Sequence, residues 1–430
     1  MKIQVHSETG RLEAVIVHTP GKEVSLVNPE IREQLLFDDI IFEADAQQEH
    51  LDLIEIIRTS LPDRSQVFEI CDLALETFTN DQARRFYIDE LIRSFPASGL
   101  SLLHDQLLHL EPASLLDFII TGSTPEISNI SLDPAPNLLF TRDLAAVVNE
   151  LFIISRAAKP ARIREFLLME TVVRYFLLPN NTEGIEQKTG PDGTQIHRPA
   201  GPHNIIRIGK QDSVEGGDIL VVSPEIVMIG MSERTTFSGL MSITHQLLKR
   251  GVHHVIAVDI PKHRSSMHLD TIFTFASPDE CIVFPPAITD RTDNISIFSH
   301  LNGRIVVEQK KSLKQTLEEL LERSLTFINC GGDNITNQFR EQWTDGANIF
   351  ALAPGIVVGY DRNTNTFDAL ARHGYRIMNQ HEFNDIYNDR PFDPDSSGKI
   401  AISFQGNELC RGRGGARCMT LPINRHLEPV

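Results

Sequence analysis

The sequence predicts an α/β protein built by repeating a strand–turn–strand unit followed by a helix, with one helical insertion. Three observations carry this prediction. A hairpin of two apolar strands around a proline turn recurs at residues 218–230, 269–284 and 348–359, and polar residues follow the first and third copies. Amphipathic helices separate these hairpins, which calls for an α/β architecture. Residues 71–133 break the rhythm, with apolar pairs at helical spacing and few β-branched runs. At 430 residues the chain exceeds one ordinary core.

Taken in order, the run from Leu12 reads as a single strand. The insertion follows, marked by Phe86-Tyr87, Leu91-Ile92, Leu102-Leu103, Leu107-Leu108 and Leu115-Leu116. A looser hairpin begins at Leu138. Residues 179–202 are rich in turn formers and read as an irregular loop. After the 218–230 hairpin, Leu240, Ile243, Leu247 and Leu248 line one helix face, and Gly251 stands where a C-terminal cap belongs. Ser312 and Gln315 have capping-box spacing ahead of a helix whose face is Leu313, Leu317, Leu320 and Leu321. The division is therefore a main body, 1–70 and 134–430, and an inserted helical domain, 71–133.

Composition narrows the function. Hydrophobic residues at 41% and charged residues at 23% exclude collagen-like and disordered classes. A net charge of −18 would repel nucleic acid and anionic membranes and suits a cationic or zwitterionic small substrate. Five cysteines without a CxxC pair suggest reduced thiols in a cytoplasm. The N-terminus has no basic leader with an apolar run, and no apolar stretch approaches a bilayer span, so neither secretion nor membrane insertion is expected.

Polar residues gather at five strand ends: 137–143, 159–165, 215–218, 267–270 and 411–418. Strand ends of such a fold converge at one mouth, where sites form. Cys418 follows Arg411, Arg413 and Arg417, cations that would lower a thiol pKa. It reads either as a nucleophile or as one more buried cysteine. Cys330 is the rival, although Leu325-Thr-Phe-Ile328 before it is an ordinary buried strand. His268 and Asp270, two apart, would share a face of an extended strand, either for proton transfer or as a structural pair. Glu215 could orient that imidazole or lie exposed in a turn. Asp143 adds a carboxylate, and two carboxylates can clamp a planar guanidinium. Arg162 and Arg234 could hold a substrate carboxylate or simply be solvated. No metal site is expected, because the 16 histidines form no HExxH and the His253-His254 pair fits no chelating spacing.

Together these segments resemble the arginine deiminases of the guanidine-modifying superfamily. Residues 136–143, PNLLFTRD, match PNxxFTRD; 215–218 match EGGD; 267–274 match MHLDTxFT; and 411–419 match RGRGGxRCM apart from Ala416, where proline is frequent. Residues 340–348, with the single Trp343, are also family-like. The resemblance implies a five-bladed, pseudo-symmetric α/β propeller of ββαβ units with an inserted helical domain. It implies hydrolysis of L-arginine to L-citrulline and ammonia without metal or organic cofactor, by a cytoplasmic homo-oligomer, dimer or tetramer. Cys418 would be the nucleophile, His268 the general acid/base paired with Glu215, and Asp143 and Asp270 the guanidinium clamp. Asn137, Arg162 and Arg234 would receive the substrate carboxylate, with Phe140 on its aliphatic part and Arg413 at the entrance. The alternatives are hydrolysis of dimethylarginine or agmatine, amidino transfer, or a catalytically silent arginine-binding module.

Overall fold

A computed structural model describes residues 1–96, 99–127, 130–179, 204–209, 211–301 and 303–426, together with the backbone of two strands within 184–200. Apart from one two-stranded sheet, the described strands form five sheets that share one rule. A central strand pairs antiparallel with a hairpin partner and parallel with a later strand reached through a helix. In the first sheet β1 (Leu12–Val17) is central, with β2 (Val67–Glu69) parallel to it and the C-terminal β20 (Leu421–Arg425) antiparallel. The crossover is the helix Glu43–Ser60. The single strand expected at Leu12 thus takes its hairpin partner from the other end of the chain.

The second sheet is β3 (Ala145–Val148), β4 (Leu151–Ile154) and β7 (Ile205–Arg207). Before β7 comes a separate antiparallel pair, β5 (Gly184–Thr189) with β6 (Gln195–Ala200), where an irregular loop was expected. The third has β8 (Ile219–Ser223), β9 (Ile226–Met231) and β10 (His254–Asp259), extended by β13 (Ile295–Leu301) and β14 (Arg304–Lys310). Helix Phe237–Leu248 makes its crossover, with Leu240, Ile243 and Leu247 buried and Gly251 at φ +97°. The fourth is β11 (Phe273–Ser277), β12 (Glu280–Val283) and β15 (Thr326–Asn329), crossed over by Leu313–Leu321, which Ser312 caps. The fifth is β16 (Phe350–Ala353), β17 (Ile356–Tyr360), β19 (Ile400–Phe404) and, at its edge, β18 (Arg376–Asn379). Among the described residues no ladder joins one sheet to the next, so the sheets do not close into a barrel.

The central strands are buried on both faces, which is why they read as continuous apolar runs rather than alternating ones. Helices Ile70–Thr77, Asp81–Ser94, His104–His109 and Pro112–Thr121 follow β2 as expected. Their buried residues, among them Tyr87, Leu91 and Phe118, belong to the same apolar cluster as Val147, Phe152 and Val227. Continuity of this core fixes the helices against the second and third sheets.

Candidate active site

The five polar strand ends meet in one place. Segments 137–143, 159–165, 267–270 and 411–418 supply walls of a small cavity that includes Asn137, Phe140, Asp143, Arg162, His268 and Cys418, and Glu215 reaches it through His268. The cavity holds only about 10 Å³, so the side chains close on one another. Outside it, a vestibule of about 750 Å³ shares Leu36, Arg234 and Arg264 with it. Arg264 donates to the Leu36 carbonyl and pairs with Asp38, holding that loop across the entrance.

Asp143 lies in the short helix Thr141–Leu144 that enters β3. His268 is extended, but Asp270 lies in the 3₁₀ turn Leu269–Thr271. This corrects the expectation that the two share a strand face, and each side chain takes its own partners. His268 Nε2 is 2.9 Å from Glu215 Oε2, and its Nδ1 is 3.4 Å from Asp143 Oδ1. Gly217 keeps that contact open, since a Cβ there would fall 2.7 Å from His268 Nδ1 and 2.9 Å from Asp143 Oδ1. Asp270 Oδ2 accepts from Arg417 Nη1 at 2.7 Å and from the Cys418 thiol at 3.7 Å. Asp270 Oδ1 is buried without a hydrogen-bond partner among the described residues, and Asp143 Oδ1 has only its 3.4 Å ion-pair approach to His268 Nδ1.

Charge in this closed volume is balanced. Arg162 Nη1 lies 2.6 Å from Asp143 and 3.5 Å from Glu215, and its Nε lies 2.9 Å from Glu165. Arg234 Nη1 lies 3.6 Å from Glu215. Burial alone would raise Glu215, but Arg234, His268 and Arg162 outweigh it and lower it to about 2. Burial likewise opposes a charge on His268, yet Asp143, the Glu215 hydrogen bond and Asp218 raise it to about 9. The imidazole is therefore a cation at neutral pH, a proton donor in waiting.

Cys418 departs from expectation. Its thiol is pushed well above the ordinary range by burial and by Asp270, Asp143 and Asp345, with Arg417 a smaller opposing influence. The neighbouring arginines are occupied elsewhere. Arg417 is held by Glu8 at 3.0 Å as well as by Asp270, Arg411 faces Asp39, and Arg413 stacks 3.8 Å from the centroid of Trp343. Sequence neighbours thus misjudged the thiol, because side-chain direction decides which charges reach it. Cys330, the rival nucleophile, is likewise raised by burial, but it is packed against Thr366 and is not part of the cavity lining that includes Cys418.

Of the other expected residues, Phe140 packs over Gly414, where a Cβ would fall 2.4 Å from its ring, and Asn137 Nδ2 donates to the Leu35 carbonyl at 2.7 Å. Residues given no role from sequence support the site. Asn348 Oδ1 accepts the Cys418 N–H at 3.0 Å and its Nδ2 donates to the Asp270 carbonyl, tying the Cys418 loop to the Asp270 turn. Asp218, raised to about 6 chiefly by burial, accepts from Ser232, Thr235 and the Leu269 N–H. Asp218 and Asn348 lie within matched motifs and Glu165 closes the polar segment 159–165, which were their signals; Glu8 had none.

Comparison with known proteins agrees. The family model described as arginine deiminase matches residues 33–179 and 199–425. The arginine deiminase of Pediococcus pentosaceus is 31% identical, and that of Bacillus thuringiensis subsp. konkukian 32%, each over 98% of both chains. A solved dimethylarginine dimethylaminohydrolase, in adduct with S-methyl-L-thiocitrulline, shares the fold at 14% identity, a TM-score of 0.50 and coverage of 95% of this chain and 99% of the other. The match over nearly the whole length, at motifs that converge on one buried site, establishes that this chain belongs to the arginine deiminase family.

Proposed function

We propose that the chain hydrolyses L-arginine to L-citrulline and ammonia at Cys418. The observation that carries this reading is the pair of buried carboxylates, Asp143 and Asp270, set beside a thiol and a cationic imidazole. A guanidinium is a poor electrophile through resonance, so its plane must be fixed before attack. Asp143 and Asp270 would take its N–H groups. Arg162 already places its own guanidinium on Asp143, so substrate competes with it, and the freed Arg162, with Arg234 and Asn137, would receive the substrate carboxylate. Phe140 would cover the aliphatic chain and Arg413 the entrance.

A guanidinium bound there is a cation beside Sγ, which favours the thiolate that the surrounding acids disfavour, and the thiol proton is released to solvent as the cation binds. Sγ attacks the guanidinium carbon, and the C–N bond breaks as His268 gives its proton to the departing ammonia. An S-alkylthiouronium remains on Cys418. Neutral His268 then takes a proton from water, the oxygen adds to the same carbon, and Sγ leaves with the remaining hydroxyl proton to give citrulline and the thiol. Arginine plus water equals citrulline plus ammonia, so no electron carrier is required.

The five sheets, alike in pairing, are read as five blades of a propeller formed by 1–70 and 134–430, with 71–133 as the inserted helical domain. Free thiols suit a reducing cytoplasm. Leu102, 86% exposed on the insertion, is a candidate contact for a homo-oligomer, which sedimentation would test. The decisive experiment incubates the purified protein with arginine, agmatine and dimethylarginine and measures ureido product and ammonia. Citrulline from arginine alone is expected; its absence overturns the reading.

A further inference from the structure

A second cluster of chemistry-bearing side chains lies outside the reaction site. β1 and β2 run parallel with Val17 opposite Glu69, so the chain leaving both C-terminal ends carries His18 beside Glu69 and Cys71. Such ends are where open α/β sheets place ligands. His18 Nδ1 is 3.0 Å from Glu69 Oε1 and 3.5 Å from Cys71 Sγ, and all three donor atoms lie within 4.8 Å of one another. Zinc bonds of about 2.0 Å to nitrogen or oxygen and about 2.3 Å to sulfur, at tetrahedral angles, imply N–S edges of about 3.5 Å and N–O edges of about 3.3 Å. The observed separations are close to those edges.

The surroundings fit a cation. His18 Nε2 lies 3.0 Å from Glu23 Oε1, which also accepts the Gly21 N–H at 2.8 Å. A carboxylate on the far nitrogen is what orients a metal-binding imidazole. The second Glu69 oxygen is fixed by the Thr19 N–H at 2.9 Å. Among the described residues neither carboxylate forms an ion pair with lysine or arginine. His50, fully buried on helix Glu43–Ser60 and near enough to feel the charge of His18, has no hydrogen-bond partner on either nitrogen among the described residues. Glu69 and Cys71 are partly exposed, which leaves an entry path and an open coordination position.

We propose that His18 Nδ1, Glu69 and Cys71 bind one divalent cation of borderline softness, zinc or cobalt, apart from the reaction site. This departs from the sequence-based expectation of no metal, which searched spacings within single elements while these ligands come from two.

The experiment uses Cys418→Ser protein, so that the Asp143, Glu215 and His268 group cannot supply a thiolate, titrated with cobalt(II) and then zinc(II) under a reducing phosphine. One equivalent of cobalt should give a sulfur-to-cobalt charge-transfer absorption that zinc abolishes. Adding Cys71→Ser should remove the absorption, and Glu23→Gln should weaken cobalt binding by roughly 10–100-fold. Circular dichroism checks folding; should Cys71→Ser misfold, Glu69→Gln must weaken binding at least tenfold. No charge-transfer absorption, one that survives Cys71→Ser, or affinities unmoved by Glu23→Gln and Glu69→Gln overturn the proposal.

Discussion

Two regions of this molecule are built from the same parts and are disposed to different chemistry. In each, one imidazole bridges two carboxylates near a thiol: His268 between Glu215 and Asp143 near Cys418, and His18 between Glu23 and Glu69 near Cys71. The deep cluster is neutralised by Arg162 and Arg234, and its thiol is partnered by Asp270, with Arg417 behind that acid. Among the described residues the cluster at the end of β1 and β2 forms no ion pair with arginine, and its thiol lies 3.5 Å from the imidazole. Depth and compensating charge therefore decide whether the set suits covalent catalysis on a cation or capture of a metal ion.

If the deep cluster is the catalytic one, Cys418→Ser lowers turnover by about 10⁴-fold or more while calorimetry still detects arginine binding. Activity within tenfold of the parent would move the nucleophile elsewhere. His268→Gln removes the proton donor and should cost roughly 10²–10⁴-fold in kcat, with binding little changed. A loss confined to KM would make this imidazole a mere binding group. The compensation itself is tested by Arg417→Met, which strands Glu8 and Asp270 in the interior. Breaking a buried pair of this kind costs about 3–5 kcal/mol, read by urea denaturation. No loss of stability would show that the two acids are neutralised in some other way.

The smallest effect concerns pH. His268 is raised from 6.5 to about 9 by folding, so its contribution is fully present below pH 6.5 and disappears as pH rises through about 9, on the order of 3 kcal/mol. Glu215, lowered to about 2, acts oppositely: its contribution is present above about 4.5 and is lost as pH falls through about 2. Stability measured against pH should fall on both sides, and the alkaline fall should be absent in His268→Gln. A thiol raised by its acids also predicts slow alkylation of Cys418 at neutral pH.

Much of the site was legible because its residues sit in short motifs at strand ends, and strand ends converge. Hairpins at 218–230 and 348–359 and the caps at Ser312 and Gly251 were legible because turn and cap chemistry is local. What escaped depended on distance along the chain: Glu8 on Arg417, Asn348 on Cys418, and Arg162 on Asp143. The misjudged thiol belongs with these, since adjacency in sequence placed three arginines beside Cys418 and packing turned them to other partners.

The sequence by itself determined the α/β class and the motifs that mark the family, because periodicity and residue chemistry are written position by position. The tertiary structure alone decided which carboxylate faces which nitrogen, how far burial raises Cys418, and that His18 meets Glu69 and Cys71 across 51 and 53 positions. Electrostatic and coordination energies fall off over a few ångströms in space, whatever the separation along the chain.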